Sequence, residues 1–253
     1  MLIEDSKLYL VEHRLLPIAH QHGLSGIVEL IGIIERGRSP AIAEEVAEAM
    51  TINETYFFRD RTPFEIFKTR LLPRIASARD QAKLRLWSAA FSTGQEPYSL
   101  AMILDESSVL LSNRETEIIA TDLSRSALAK ASAGKYSQFE VQRGLAAPQI
   151  SRYFSQRDGA WQIADKIRSR VGFRRLNLLS AYEDLGLFDV IFCRNVLIYF
   201  SATRKADILG RMARSLTPGG RIIIGASENI VGLDTRLEAD PESGVNYVLR
   251  RLR

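Results

Sequence analysis

Cysteine is nearly absent from this 253-residue chain: Cys193 stands alone, which excludes an intramolecular disulfide framework. The few histidines, His13, His20 and His22, have no cysteine or carboxylate cluster around them at ligand spacing, so no structural metal is expected. Long apolar runs are missing too. Nothing approaches the roughly 18 to 20 uninterrupted apolar residues of a membrane span, and Met1-Leu2-Ile3-Glu4-Asp5 lacks the basic-then-apolar profile of a signal peptide. A cytoplasmic protein without membrane insertion is expected. Zinc-finger and RNP motifs are absent, and the basic residues do not alternate with stacking aromatics, so nucleic acid is not expected as a partner.

What is present is an ordinary globular composition, 46% hydrophobic and 25% charged, enough for at least one large core. The net charge of +4 is uneven: residues 1–50 carry four basic and eight acidic side chains, residues 152–175 seven basic and two acidic. An anionic partner would meet the later segment.

Residues 6–50 read as three short helices: Leu8, Val11 and Leu15 share a face, then Ile27, Leu30, Ile31 and Ile34, then Ile42, Val46 and Met50. Gly23 and Gly37 fall at helix ends. Ser39 is the expected N-cap of the third helix, with Pro40 at the first helical position, where a missing N–H costs nothing. Thr62, Pro63 and Glu65 read as a capping box opening a helix with Phe64, Phe67 and Leu71 on one face, disturbed at Pro73.

From residue 84 apolar runs alternate with helical stretches: strand 84–91, helix 97–111, strand 117–121, helix 124–133, then strands 171–177 and 188–193. A helix near 203–216, ended by Pro218-Gly219-Gly220, precedes a strand over 221–226. This alternation predicts an α/β fold with a doubly wound, mostly parallel sheet. Segments 237–240 and 245–250, joined by Pro241-Glu242-Ser243-Gly244, read as an antiparallel pair at one edge. Residues 134–170 far exceed the roughly 2 to 6 residues of an ordinary connection and read as an insertion with structure of its own.

The loop Ser88-Ala89-Ala90-Phe91-Ser92-Thr93-Gly94-Gln95-Glu96-Pro97 sets small residues and Gly94 beyond a strand's carboxyl end, where ligands of such sheets bind. It is not a Gly-x-Gly-x-x-Gly loop, and Glu96 would repel a dinucleotide pyrophosphate. A cofactor bearing an ammonium and a sulfonium suits that carboxylate better, although the helix macrodipole alone also favours a glutamate there. Asp122, just past the second strand, stands where a carboxylate accepts both ribose hydroxyls; an Asx turn before Ser124 is the alternative. Arg194, Asn195 and Tyr199 follow the strand at 188–193 on the same rim and are expected to face the ligand, with Tyr199 equally suited to packing. Cys193 reads as a small buried hydrophobe. The linker Thr51-Ile52-Asn53-Glu54-Thr55-Tyr56-Phe57-Phe58-Arg59-Asp60 is unusually aromatic, and read by itself it pairs Arg59 with Asp60.

Three of these segments together closely resemble the CheR family of chemoreceptor glutamate O-methyltransferases: Asn53 to Asp60, Trp87-Ser88-Ala89-Ala90 with Ser92 to Ser99, and Phe192-Cys193-Arg194-Asn195-Val196-Leu197-Ile198-Tyr199-Phe200. The resemblance implies a Rossmann-like class I methyltransferase domain over 84–253, with an inserted small β-subdomain at about 135–172. It further implies an N-terminal all-α domain over 1–50 that helps bind the receptor, and a linker over 51–83 carrying site residues. By motif position it puts Asn53, Thr55, Arg59, Glu96, Asp122, Asn177, Leu178, Asn195 and Val196 at the cofactor, S-adenosyl-L-methionine. It also puts Arg59 and Tyr199 beside the methyl-transfer centre. The implied activity is methylation of glutamate carboxylates in the cytoplasmic helical region of chemoreceptors, with S-adenosyl-L-homocysteine as product. The alternatives are a catalytically silent cofactor-binding regulator and a same-fold methyltransferase with another acceptor.

Three departures from the family pattern stand out. The N-terminal segment is net acidic, with little chain before Lys7. The 154–177 stretch is short beside members that capture a receptor's C-terminal peptide by strand addition, so peptide tethering is not expected. Ala226 stands where the family commonly has histidine before Ser227-Glu228, so no general base is assigned there.

Overall fold

The computed structural model describes residues 8–77, 83–112, 114–233, 235, 237–240 and 246–249. The chain divides into two compact units, Met1–Asn53 and Glu54–Arg253.

In the first unit, α1 (Leu8–Gln21), α2 (Ile27–Glu35) and α3 (Pro40–Ala49) pack around Leu15, Ala19, Leu30 and Ile42. Gly23 and Gly37 take the left-handed conformation at the helix ends, and Ser39 accepts the Ile42 N–H as N-cap ahead of Pro40. Arg14 donates to the carbonyls of Ala49 and Thr51 at the end of α3 (3.3 and 3.0 Å), where a cation suits the helix dipole. Leu8 and Ile31 are exposed, whereas Leu15 and Leu30 from the same sets of apolar residues are buried.

The second unit opens with α4 (Thr62–Ile66), a π-helical turn (Phe67–Leu71) and α5 (Leu72–Ser77). The expected capping box is absent: Thr62 is already helical, and the cap is Arg61, at φ 45° with no side-chain bond. The π turn lies just ahead of Pro73, which has no N–H to return to the preceding turn. Phe64, Phe67 and Leu71 are all buried.

Then follow β1 (Leu84–Ala89), α6 (Gln95–Glu106), β2 (Thr116–Asp122), α7 (Arg125–Ala133) and β3 (Lys135–Tyr136). Next come α8 (Gln138–Gln142), α9 (Ala147–Tyr153), β4 (Phe154–Arg157), β5 (Ala160–Ile163), α10 (Asp165–Arg168) and β6 (Val171–Arg175). The chain continues through β7 (Phe188–Cys193), α11 (Ala202–Arg214), β8 (Leu216–Ile224), β9 (Leu237–Ala239) and β10 (Asn246–Leu249).

Seven strands form one sheet in the order β6-β2-β1-β7-β8-β10-β9, parallel except where β10 pairs antiparallel with β8 and β9. The proposed turn at 241–244 lies outside the described residues. Both faces are covered, as parallel sheets require. Alternate residues divide between them: Val190 and Phe192 of β7 join the core beneath α6, while Ile191 and Cys193 join the core that holds Leu209 and Met212 of α11.

The helix expected to stop at Pro218-Gly219-Gly220 ends earlier, at Arg214, and those three residues belong to β8. There they form an irregularity, with Leu216 opposite Phe188 and Arg221 opposite Val190. A Cβ on Gly220 would meet three carbonyl oxygens at 2.9 to 3.2 Å. The inserted segment carries its own three-stranded antiparallel sheet, β3-β5-β4. Its basic side chains are partly occupied: Arg152, Lys166 and Arg170 approach Asp105 at the end of α6, at 3.0, 3.2 and 3.7 Å.

Candidate functional site

The carboxyl ends of β1, β2 and β7 and the segment 54–61 form one rim. Among the described residues, eight non-glycine residues have positive φ, and six of them lie here: Phe58, Asp60, Arg61, Ala90, Ser92 and Asn195. Such backbone persists only where its surroundings over-determine it, and it clusters at functional sites.

At the end of β1, Ala90 and Phe91 both donate N–H to the Thr121 carbonyl, turning the chain sharply out of the strand. Gly94 then starts α6 at φ 101°, so the helix begins at Gln95, two residues ahead of the expected Pro97. A Cβ on Gly94 would lie 2.8 Å from both Ala131 Cβ and the Tyr136 hydroxyl, so α7 and β3 close on the loop only because that side chain is missing.

Asp122 is buried at the end of β2. Its Oδ2 accepts the Ser92 N–H at 2.7 Å and its Oδ1 the Ser124 N–H at 2.9 Å, the second contact being the Asx turn. Glu96, in the first turn of α6, is also buried. Its carboxylate accepts from the Ser88 hydroxyl (2.8 Å) and from Arg194 (3.0 Å). Burial pushes its pKa above the usual carboxylate value, while the Arg194 charge and the Ser88 hydrogen bond pull it back down.

Arg194 corrects an expectation. It does not face outward: it is 4% exposed, and its guanidinium spans Glu96, the Arg59 carbonyl (2.7 Å) and Asp60 (2.9 Å). Asp60 therefore pairs with Arg194 rather than with Arg59. The Arg59 guanidinium instead donates to the Glu54 carbonyl at 2.7 Å, 5.8 Å from the Tyr56 ring centre. Cys193 is fully buried, which raises its thiol pKa and leaves it a packing residue.

Beyond Arg194 the chain turns through Asn195 and Val196 into a 3-10 turn over Leu197–Tyr199. The carboxylate of Glu228 holds this turn, accepting N–H from Asn195, Val196 and Leu197 as well as from Gly225, at 2.6 to 2.9 Å. Glu228 was missed as a site residue; its only signal was the Ser227-Glu228 pair, where attention falls on Ala226.

Segment 54–61 is anchored from below. Phe57 is fully buried, edge-on to Tyr136 and Phe154 at 5.2 and 5.6 Å, and the Phe58 N–H reaches the Ser99 hydroxyl at 3.0 Å. Gly144, at φ 106°, lies so close that a Cβ there would sit 1.8 Å from the Phe57 carbonyl oxygen. Gly144→Ala is expected to destabilise the fold by about 2 kcal/mol or more, lowering the melting temperature by roughly 5 °C. Melting within about a degree of the parent would contradict that contact.

Thr55, Arg59, Gly94, Glu96, Asp122, Asn195 and Val196 all sit on this rim or the segment bordering it. Tyr199 is half-buried at the end of its 3-10 turn. Asn177 and Leu178 lie two and three residues past β6, which ends at Arg175 rather than at the expected Asn177. The Asn177 side chain caps the Leu179 N–H, and the Leu178 carbonyl is held by Arg211 at 2.7 Å. Asn53 ends the first unit, where it is exposed.

The Ser92 hydroxyl, beside Asp122, is buried without a hydrogen-bond partner among the described residues. Two buried carboxylates and an unsatisfied hydroxyl at one strand-end rim fit a ligand carrying an ammonium, a sulfonium and ribose hydroxyls. A separate cavity of about 260 Å³, lined among others by Phe58, Phe64, Lys68, Ile103 and Leu145, includes none of the residues expected at the cofactor.

The chain is similar to known proteins. Residues 53–243 match the family model described as CheR methyltransferase, SAM binding domain. Chemotaxis protein methyltransferase 1 of Pseudomonas aeruginosa is 46% identical over 237 residues, covering 92% of this chain and 86% of that protein. Chemotaxis protein methyltransferase Cher2 of Pseudomonas putida is 44% identical over the same shares. Among solved structures, PKMT2 from Rickettsia typhi in complex with AdoHcy is 16% identical with a TM-score of 0.41, covering 69% of this chain and 26% of that one.

Proposed function

The chain belongs to the CheR methyltransferase family, with S-adenosylmethionine as cofactor, and from that premise we propose that it methylates glutamate side chains in the cytoplasmic helices of chemoreceptors. The products are glutamate methyl esters and S-adenosylhomocysteine. One observation carries the reading: two buried carboxylates, the unsatisfied Ser92 hydroxyl and the strained segment bearing Arg59 converge on one rim.

When bound, the cofactor supplies a methyl group on positively charged sulfur. An acceptor glutamate, with an ordinary pKa of about 4.3, is already a carboxylate at neutral pH, so the protein need supply no strong base. Its task is to position and to exclude water. The Asp122 carboxylate, buried at the end of β2, accepts the ribose hydroxyls. Glu96 receives the ammonium alongside Arg194. Thr55, Gly94, Asn177, Leu178, Asn195 and Val196 complete the cofactor contacts. Arg59 orients the acceptor carboxylate by charge-assisted hydrogen bonds, and Tyr199 fixes the acceptor oxygen.

Asp122→Asn is expected to weaken S-adenosylhomocysteine binding about tenfold, the scale of one hydrogen bond to a charged acceptor. Calorimetric affinity equal to the parent's would remove Asp122 from the cofactor. In the inserted segment, three cations share the single Asp105 carboxylate, and the excess positive charge suits docking of acidic receptor helices.

The test is transfer of a radiolabelled methyl group to a chemoreceptor cytoplasmic fragment with its glutamates intact or replaced by alanine. Base-labile label on the intact fragment alone is expected. Label that resists base, or that survives loss of the glutamates, would favour another acceptor; cofactor binding without transfer would favour a regulator.

A further inference from the structure

We propose that Arg194 is a positioning residue for methyl transfer, acting through the main chain of Arg59; this rests on the reading that Arg59 works at the methyl-transfer centre. The 54–61 segment has to hold Phe58, Asp60 and Arg61 at φ 51°, 65° and 45°, a conformation that side-chain-bearing residues disfavour and that only external holds maintain. Phe58 is held by Ser99 through its N–H. Arg59 and Asp60 are held by Arg194, from the end of β7, more than 130 residues away in sequence.

The geometry of this hold is specific to arginine. One nitrogen, Nη1, donates to Glu96; the other, Nη2, donates to the Arg59 carbonyl and to the Asp60 carboxylate; and the plane of the group lies over the Phe64 ring, 5.2 Å from its centre. A lysine ammonium has enough protons but no rigid fork to place on two elements at once.

Stability alone is a poor reason for such a group. Burying a guanidinium is costly, apolar replacements of buried ion pairs are often neutral or better, and here Nε has no hydrogen-bond partner among the described residues. What the arrangement provides is register. It ties the carbonyl of Arg59 to the same guanidinium that neutralises Glu96, so the segment bearing Arg59 is fixed relative to the strand ends. The Arg59 side chain, half-buried and held among the described residues only by the Glu54 carbonyl and the Tyr56 ring, takes its position from that backbone.

A double-mutant cycle tests the idea, with methyl transfer to a receptor fragment, S-adenosylhomocysteine affinity and melting temperature all measured on the full chain. Arg194→Lys is expected to lower kcat/KM about tenfold in the parent and less than about twofold in the Arg59→Ala background, because the two residues act as one. Asp60→Ala repeats the pattern if Arg194→Lys folds poorly, since Asp60 is a third exposed and does not touch Glu96. Its S-adenosylhomocysteine affinity should stay within about threefold of the parent's. Equal losses in both backgrounds would make Arg194 an ordinary structural residue and overturn the inference alone. Unimpaired transfer by Arg59→Ala itself would overturn both the inference and the reading beneath it.

Discussion

Replacing Arg59 with alanine is expected to lower methyl transfer to a receptor fragment roughly 100-fold, the scale of a misplaced reacting group. The melting temperature should move by no more than a few degrees. The two expectations separate because of how Arg59 is held. Its carbonyl, not its side chain, receives the Arg194 contact that fixes the segment, and that contact survives the substitution. The lost side-chain interactions are one hydrogen bond to the Glu54 carbonyl and a distant approach to the Tyr56 ring, together worth on the order of 1 kcal/mol at a half-exposed site. Comparable melting with unchanged turnover would remove Arg59 from the reaction, and a collapse of folding would show that its side chain supports the fold instead.

The second large effect belongs to Glu228. Glu228→Gln is expected to lower the melting temperature by roughly 10 °C. Four backbone N–H groups converge on its carboxylate, two on each oxygen. Whichever way the glutamine amide turns, two of those donors face an NH2 group rather than an acceptor. At about 1.5 to 3 kcal/mol for each hydrogen bond to a charged group, the loss is about 3 to 6 kcal/mol. The same carboxylate shapes the turn at Asn195 and Val196, so cofactor affinity should fall with stability. A melting temperature near the parent's would mean that the turn does not depend on this carboxylate.

The sheet was legible because its strands are apolar on both faces and alternate with helices, a pattern that local sequence carries directly. Residues such as Val190, Ile191, Phe192 and Cys193 announce a strand buried on two sides. Boundaries were less legible where tertiary pairing decides them: Pro218-Gly219-Gly220 reads as a helix stop, yet β7 draws it into β8 across an irregular register. Thr62 reads as a cap, yet the left-handed turn before it makes Arg61 the cap.

At the rim, the residue types were readable and their partners were not. Arg194 after a buried strand suggests a ligand-facing cation, because nothing nearby in sequence discloses that its acceptors are Glu96 and Asp60. Glu228 was missed for the same reason, three of its four donors lying some 30 residues back in the chain. Buried charges find their meaning through long-range contacts, which local patterns do not encode.

Titration calorimetry of the full chain with S-adenosylhomocysteine asks most directly whether the strand ends form the cofactor site. Saturable binding to a single site is expected, weakened in Asp122→Asn and again in Glu96→Gln, with both variants folded. Absence of binding heat in folded protein, or undiminished affinity in both variants, would contradict the assignment of the rim.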